Sequence, residues 1–295
     1  MKMYIGEILL FITAIIWGSG YIGMKIGLEH LTVFQVMAGR FIVATILLCL
    51  IFYKKLKLIS KSVLWKGTVL GVILFIAFTV QTIGLEYTTP SKNAFLTAIN
   101  VIIVPIIAYV IYKRKFDGFE MLAAILAVVG IGFLSLQGSM TINVGDFLSL
   151  VSAIGFAFDI FYTNMFVKTE DALALTIVQF FTASVLSITA VILLGEVPTV
   201  ISTEGISAIL YLGILCTTVA YVCQNIGMQY ADSTKSALIL STEALFGTIF
   251  SVIMLHEILT VRMIIGGILI LVAIIVAEIK PTFKPQKRPE SKMHN

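Results

Sequence analysis

QTIGLEYTTPSKNA, residues 81–94, recurs at residues 224–237 as QNIGMQYADSTKSA. Six of the 14 positions are identical across a displacement of 143: Gln81/Gln224, Ile83/Ile226, Gly84/Gly227, Tyr87/Tyr230, Lys92/Lys235 and Ala94/Ala237. A match of this density inside one apolar chain marks an internal duplication. Each copy closes one hydrophobic run and opens the next through a short polar turn. A second pair, FQVMAGRF (Phe34–Phe41) against LALTIVQF (Leu173–Phe180), aligns with a displacement of 139. Two repeats follow, within residues 1–140 and 141–280, with 281–295 left over as a basic tail.

Composition sets the class. Hydrophobic residues make up 59 % of the 295 positions and charged residues 12 %, against roughly 45–50 % and 25 % in soluble domains. A polytopic membrane protein, all α-helical, is expected. Ten runs are long enough to cross a bilayer: about 5–27, 33–53, 64–86, 91–112, 119–137, 145–166, 173–194, 206–229, 234–255 and 261–279. With the N-terminus inside, sixteen Lys and Arg fall on the cytoplasmic side and three outside (Lys25, Lys92, Arg262), leaving Arg40 within a span. The positive-inside bias therefore puts both termini in the cytoplasm. The tail from Pro281 carries three prolines and many charges, and is expected to be disordered.

Five spans per repeat is odd, so the second repeat enters the membrane from the opposite side. Inverted-topology repeats give many secondary transporters two oppositely open states. Lys92 then lies near the outer face and Lys235 near the inner one.

Buried polar residues carry the rest. A charge near the bilayer centre costs about 2.5–3.5 kcal/mol on insertion scales, so each needs a partner or a wet cavity. Arg40, Asp159 and Glu243 lie well inside expected spans. Glu243 is the repeat counterpart of Asn100, and Asn93, Thr97 and Asn100 share one helical face. Glu243 and Asp159 are candidates for proton coupling or for binding an ammonium group. The structural alternatives are an interhelical hydrogen bond for Glu243 and a buried Asp159–Arg40 pair. Gln81 and Gln224, matched by the duplication, line a cavity or bond between helices. Lys92 and Lys235 either snorkel or act as gate residues, and Arg40 is a further gate or ion-pair candidate. Trp17, Tyr21 and Met24 form a stripe on the first span, as Tyr162 and Phe166 do on the sixth. Such stripes are packing, or aromatic walls for a small organic ligand.

Enzyme motifs fail when checked. His256-Glu257 continues Ile-Leu-Thr, so the second histidine of a zinc motif is missing. Neither a phosphate-binding loop nor a G-x-S-x-G elbow occurs. Cys49, Cys216 and Cys223 all fall in apolar runs and read as packing residues.

Trp17-Gly18-Ser19, Arg40-Phe41, the Pro90–Pro105 segment and LSTEALFGTIFSVIMLHEILTVRMIIGGILI (Leu240–Ile270) resemble the EamA family of the drug/metabolite transporter superfamily. That family often shows Glu-Pro and then Leu-Gly-Glu; the matching positions here are Glu243-Ala244 and Leu255-His256-Glu257. The resemblance implies a basket of ten helices around a central cavity, in an exporter of a prokaryotic inner membrane. It also implies that the first, third, fourth, sixth, eighth and ninth helices line that cavity. On this chain those helices select Trp17, Tyr21, Gln81, Asn93, Asn100, Asp159, Tyr162, Gln224 and Glu243.

The expectation is a secondary transporter, not an enzyme, moving small organic metabolites such as amino acids or amines by alternating access. A cationic drug exporter and an uncoupled facilitator are the alternatives, with a lipid-modifying enzyme more remote. Expected partners are a small-molecule substrate, the lipid bilayer and protons as coupling ion. No cofactor, metal or nucleic acid is expected.

Overall fold

Twelve helices are seen in the computed structural model, which describes residues 2–112, 118–135, 142–200, 202–230 and 239–278. They are α1 (Lys2–Leu28), α2 (Val33–Ile51), α3 (Lys61–Glu86), α4 (Pro90–Ala98), α5 (Asn100–Tyr112) and α6 (Gly118–Ser135). There follow α7 (Val144–Phe166), α8 (Ala172–Leu193), α9 (Thr203–Tyr211), α10 (Ala220–Tyr230), α11 (Glu243–Leu255) and α12 (Val261–Glu278). A π-helical segment, Leu212–Val219, joins α9 to α10. Lys235 and the tail lie outside the described residues. No strand occurs among the described residues, as lipid demands of a chain that satisfies its backbone within each segment.

Seven helical stretches are long and apolar enough to cross a membrane: Tyr4–Leu28, Val33–Ile51, Lys61–Glu86, Pro90–Ile111, Val144–Phe166, Ala172–Leu193 and Thr203–Tyr230. Met121–Phe133, Ile239–Leu255 and Val261–Val276 are shorter apolar helices. The fold is thus that of an all-helical polytopic membrane protein.

Side-chain caps set the helix starts. Thr32 and Gln35 form a reciprocal capping box on α2, and Ser60, Asn143, Asp171 and Ser202 each accept a first-turn amide of the helix they precede. Thr89 does the same for α4, with Pro90 in the first turn where no amide is needed. The stretch from Pro90 to Ile111 then kinks. Ile99 (φ −62°, ψ −16°) accepts bonds from Ile102 and Ile103 at 2.9 and 3.2 Å. Thr242 (φ −65°, ψ −10°), 143 positions later, accepts from Leu245 and Phe246 at 3.0 and 3.2 Å. The same tightened turn thus precedes Asn100 and Glu243, and each polar residue opens a helix.

Close crossings bring the helices together. α1 packs on α10 and α11, α3 on α7 and α8, and α6 on α12. At the α1–α11 crossing, a Cβ on Gly18 would stand 2.5 Å from Phe246 Cβ and 2.8 Å from the Gly247 amide nitrogen. Gly18→Ala therefore forces two backbones apart, at an expected cost of about 1–3 kcal/mol. Gly118→Ala, where an added Cβ meets nothing within 4 Å, is the neutral control. Melting midpoints of the two variants in detergent should separate them; equal midpoints would show that the crossing yields freely.

Ion pairs brace one end of the bundle. Lys55 Nζ lies 2.6 Å from Asp171 Oδ2, and Lys66 Nζ 2.5 Å from Glu170 Oε1. The 3₁₀ turn Tyr53–Leu58 after α2 and the start of α3 are thereby tied to the α7–α8 turn. The Lys66 hydrogen bond, with that of Ser62, holds Glu170 below the usual carboxylate range. Partial burial pushes Asp171 up, but bonds from Lys55 and the α8 amides outweigh it and leave it lowered. A carboxylate lowered by folding stabilises the native state above its unfolded value, about 3.9–4.3, and loses that contribution as pH falls through the folded value. The brace should therefore hold at neutral pH and fail only in strong acid. Exposed pairs contribute about 0–1 kcal/mol. Asp171 also caps α8, accepting the Ala174 amide at 3.1 Å. Asp171→Ala should thus cost about 1 kcal/mol more than Asp171→Asn, which keeps the cap and loses only the pair. Unfolding midpoints of both variants at neutral pH check this, and equal losses would refute the capping role.

Candidate functional site

A cavity lies between α1, α2, α3, α4, α5, α7, α10, α11 and the π-helical segment. Its volume is ≈ 60 Å³, enough to admit water. Trp17 and Tyr21 of α1, Gln81 of α3 and Asn93 of α4 line it. So do Asn100, Asp159, Gln224, Glu243 and Arg40. Tyr162 does not. It sits on α7 in an aromatic column, stacked between Phe158 at 6.3 Å and Phe166 at 5.7 Å, facing away from the cavity lining. On α7 the cavity is lined by Phe156, Asp159 and Ile160, which share one face that does not include Tyr162.

Aromatic rings build one wall. Tyr221 packs 5.1 Å from Trp17, 5.0 Å from Phe180 and 6.5 Å from Phe78. Phe78 meets Phe156 edge-on at 4.9 Å. Over this wall lies Arg40, 2 % exposed, its Cζ 4.3 Å from the Phe78 ring centre. Desolvated cation–π contacts are worth about 2 kcal/mol, which offsets part of the cost of burying a guanidinium. Its Nε donates to Thr217 Oγ1 at 3.0 Å.

Thr217 reaches Arg40 because the helix is locally widened. The Thr217 and Thr218 hydroxyls donate to carbonyls five residues back, Leu212 and Gly213, both at 2.8 Å. Such π turns free backbone groups and gather at functional sites. The Cys216 carbonyl, in the same segment, accepts the Trp17 indole N–H at 3.0 Å.

On the opposite side Gln81 Nε2 donates to Tyr21 Oη at 3.3 Å and to Thr97 Oγ1 at 3.2 Å. Asn93 Nδ2 donates to the Gln81 carbonyl at 3.2 Å and to Ser149 Oγ at 2.9 Å. Three groups are left open towards the space between. Both polar atoms of the Gln224 amide are buried without a partner among the described residues. Glu243, 7 % exposed at the first turn of α11, accepts no hydrogen bond from them. Asp159 accepts one, from Gln179 Nε2 at 2.9 Å. No ion pair joins Arg40 to either carboxylate; the Asp159–Arg40 pairing open on sequence grounds is not made. Unsatisfied polar groups in a closed space cost free energy unless a ligand or water meets them.

Lys92 is engaged outside this lining. Its Nζ lies 3.1 Å from Asp146 Oδ2, a carboxylate fully buried at the start of α7, whose Oδ1 accepts Thr88 Oγ1 at 2.5 Å. Beside it Glu257 Oε2 accepts the Ser91 amide at 3.3 Å and Ser91 Oγ at 2.7 Å, together with the Ser251 hydroxyl. The first turn of α4 is thus clasped from α7 on one side and from the α11–α12 connection on the other. Among the described residues no cluster of three or more His, Cys, Asp or Glu could hold a metal.

Comparison with known proteins accounts for this architecture. The profile of the EamA-like transporter family matches twice, at residues 4–136 and 143–278. The chain belongs to that family. An Archaeoglobus fulgidus protein named an uncharacterized transporter is 33 % identical over 280 residues, 95 % of this chain and 88 % of its own length. YoaV of Bacillus subtilis, also named an uncharacterized transporter, is 20 % identical over 264 residues, 87 % of this chain and 90 % of its own. One solved crystal structure superposes with a TM-score of 0.68 over 92 % of this chain and 96 % of that one, at 16 % identity. At that identity the likeness is one of fold. Membership in the family makes the protein a membrane transporter in general function, and the cavity is the place to look for its substrate.

Proposed function

We propose that this family member is a secondary transporter for small organic solutes such as amino acids or amines. It works by alternating access between two inverted five-helix repeats, ten spans in all. One observation carries the reading: two carboxylates and a guanidinium line one cavity, none paired with another. An ammonium group suits Glu243, and a carboxylate suits the guanidinium edge of Arg40 that Thr217 and Phe78 leave free.

The repeat reading has independent support. The family profile matches once per repeat. Gly6-Glu7 precedes Gly145-Asp146 by the displacement of 139. A Cβ on Gly84 would lie 3.1 Å from the Gly145 carbonyl oxygen, and one on Gly227 3.1 Å from that of Gly6. Gly227 is the duplicate of Gly84, so the α3–α7 crossing and the α10–α1 crossing are built alike. In this reading the protein sits in a prokaryotic plasma membrane with both termini cytoplasmic, the tail disordered beyond residue 280. It runs as an exporter coupled to protons, without a cofactor.

The aromatic wall of Trp17, Phe78 and Tyr221 and the excess of acids over bases also favour a second reading, export of aromatic cations. Proteoliposomes given a panel of labelled amino acids and amines, with and without a pH gradient, decide. Selective accumulation that collapses with the gradient supports the first reading. Movement of hydrophobic cations alone supports the second, and equilibration without accumulation would refute coupling.

A further inference from the structure

Asp159 and Gln179 lie against each other, buried at 2 % and 1 % exposure. The Gln179 amide gives its Nε2–H to Asp159 Oδ1 at 2.9 Å, while its own Oε1 is buried with no donor among the described residues. An ionised carboxylate cannot supply that donor, since it is acceptor-only. A protonated one can. With a proton on Oδ2, the acid and amide close a ring of two hydrogen bonds, Nε2–H to Oδ1 and Oδ2–H to Oε1. The otherwise unmet Gln179 Oε1 is then satisfied, as buried polar groups require.

The charges nearby do not offer a competing arrangement. Tyr21 of α1, Arg40 of α2, Cys216 of the π segment, Tyr221 of α10 and Glu243 of α11 are the titratable groups lining the same cavity. Arg40, the one cation among them, is held on Phe78 and Thr217 and makes no ion pair with Asp159. The lining residues of α3, α4 and α5 are neutral. The duplication sharpens the point, because Gln179 is the counterpart of Arg40 at displacement 139. Where the first repeat has a guanidinium, the second gives the carboxylate a neutral amide.

We propose that Asp159 is the proton-binding site of the cavity, held in its acid form by Gln179, which leaves Glu243 to meet the cationic part of the solute. Water delivers the proton to Oδ2, and release returns it to water while Nε2–H remains on Oδ1. Gln179 is buried behind Asp159, outside the cavity lining, and is a positioning residue. The assignment rests on the transport reading for its use, but the proton is measured on resting protein.

The test is infrared difference spectroscopy of the purified, lipid-reconstituted protein between acid and alkaline buffer, in H₂O and D₂O. A protonated carboxyl gives a carbonyl stretch that moves down in D₂O. The expected result is such a band in the wild type, lost in Asp159→Asn and retained in Glu243→Gln. In Gln179→Leu, which removes the amide but not the acid, the band should move up in frequency as the N–H bond to the carbonyl disappears. A band unchanged in Asp159→Asn, or unmoved in Gln179→Leu, overturns the proposal. Should Asp159→Asn fail to fold, the Gln179→Leu shift alone decides. No solute enters this measurement, so a failed transport assay strikes the transport reading and leaves the acid–amide pair to be judged by its own band.

Discussion

Glu243→Gln is expected to lower transport of amine-bearing solutes by roughly 30- to 4,000-fold while the protein still inserts and folds. The estimate comes from the cost of losing one partner of a buried, hydrogen-bonded charge pair, about 2–5 kcal/mol, at 1.4 kcal/mol per decade. Glu243 qualifies because its carboxylate faces the cavity and accepts no hydrogen bond among the described residues. A structural carboxylate would be tied to a neighbouring helix, and its replacement would show as instability. Here glutamine keeps the shape, removes the charge and breaks no bond, so stability should hold or rise. Counterflow of labelled amino acids and amines measures the activity, and a melting curve in detergent measures the fold. Unchanged counterflow would remove Glu243 from the site. Loss of both activity and melting midpoint would return it to a structural role.

That Glu243 could be singled out at all shows what an apolar sequence reveals. The duplicated turn at residues 81–94 and 224–237 was legible because polar residues are sparse and a match of six stands out. Arg40, Asp159 and Glu243 were legible for the same reason, since lipid makes each charge costly. The rotation of α7 is written in Asp146, Ser149, Ser152, Asp159 and Thr163, which share its buried face. Tyr162, three residues from Asp159, lies beside that face and does not reach the cavity. Phe78, Phe156 and Tyr221 build the wall, but in sequence they are three aromatics among thirty-two. The π turn at Leu212–Val219 left no signal either, although Thr217 and the Cys216 carbonyl within it meet Arg40 and Trp17. Its cause lies in tertiary partners, the buried donors Arg40 and Trp17 that need acceptors. The Lys92–Asp146 pair joins residues 54 apart, and an acid at a span end looks interfacial until the fold buries it.

That pair supplies the second large effect. Lys92→Met is expected to open the Lys92 end of the cavity, raising the reactivity of Cys216 towards a membrane-impermeant maleimide by about tenfold or more from that side. Asp146 is fully buried and Lys92 17 % exposed, so removing the lysine leaves the less tolerable partner behind. Breaking a buried pair costs about 3–5 kcal/mol, and partial exposure of Lys92 reduces this to the order of 2 kcal/mol, still more than a decade in population. Asp146 keeps Thr88 and the favourable N-terminus of α7, so the helix should stay folded while the clasp on α4 loosens. Asp146→Asn should do less, because Lys92 can turn to water. Cys216 is a native reporter: it lines the cavity and is 1 % exposed. With Cys49 and Cys223 replaced by serine, labelling in right-side-out and inverted vesicles reads each mouth separately. Faster labelling from the Lys92 side alone fits a clasp whose release favours one of two oppositely open states. Equal acceleration from both sides would mean general loosening, and no acceleration would leave the pair as a strut that takes no part in opening.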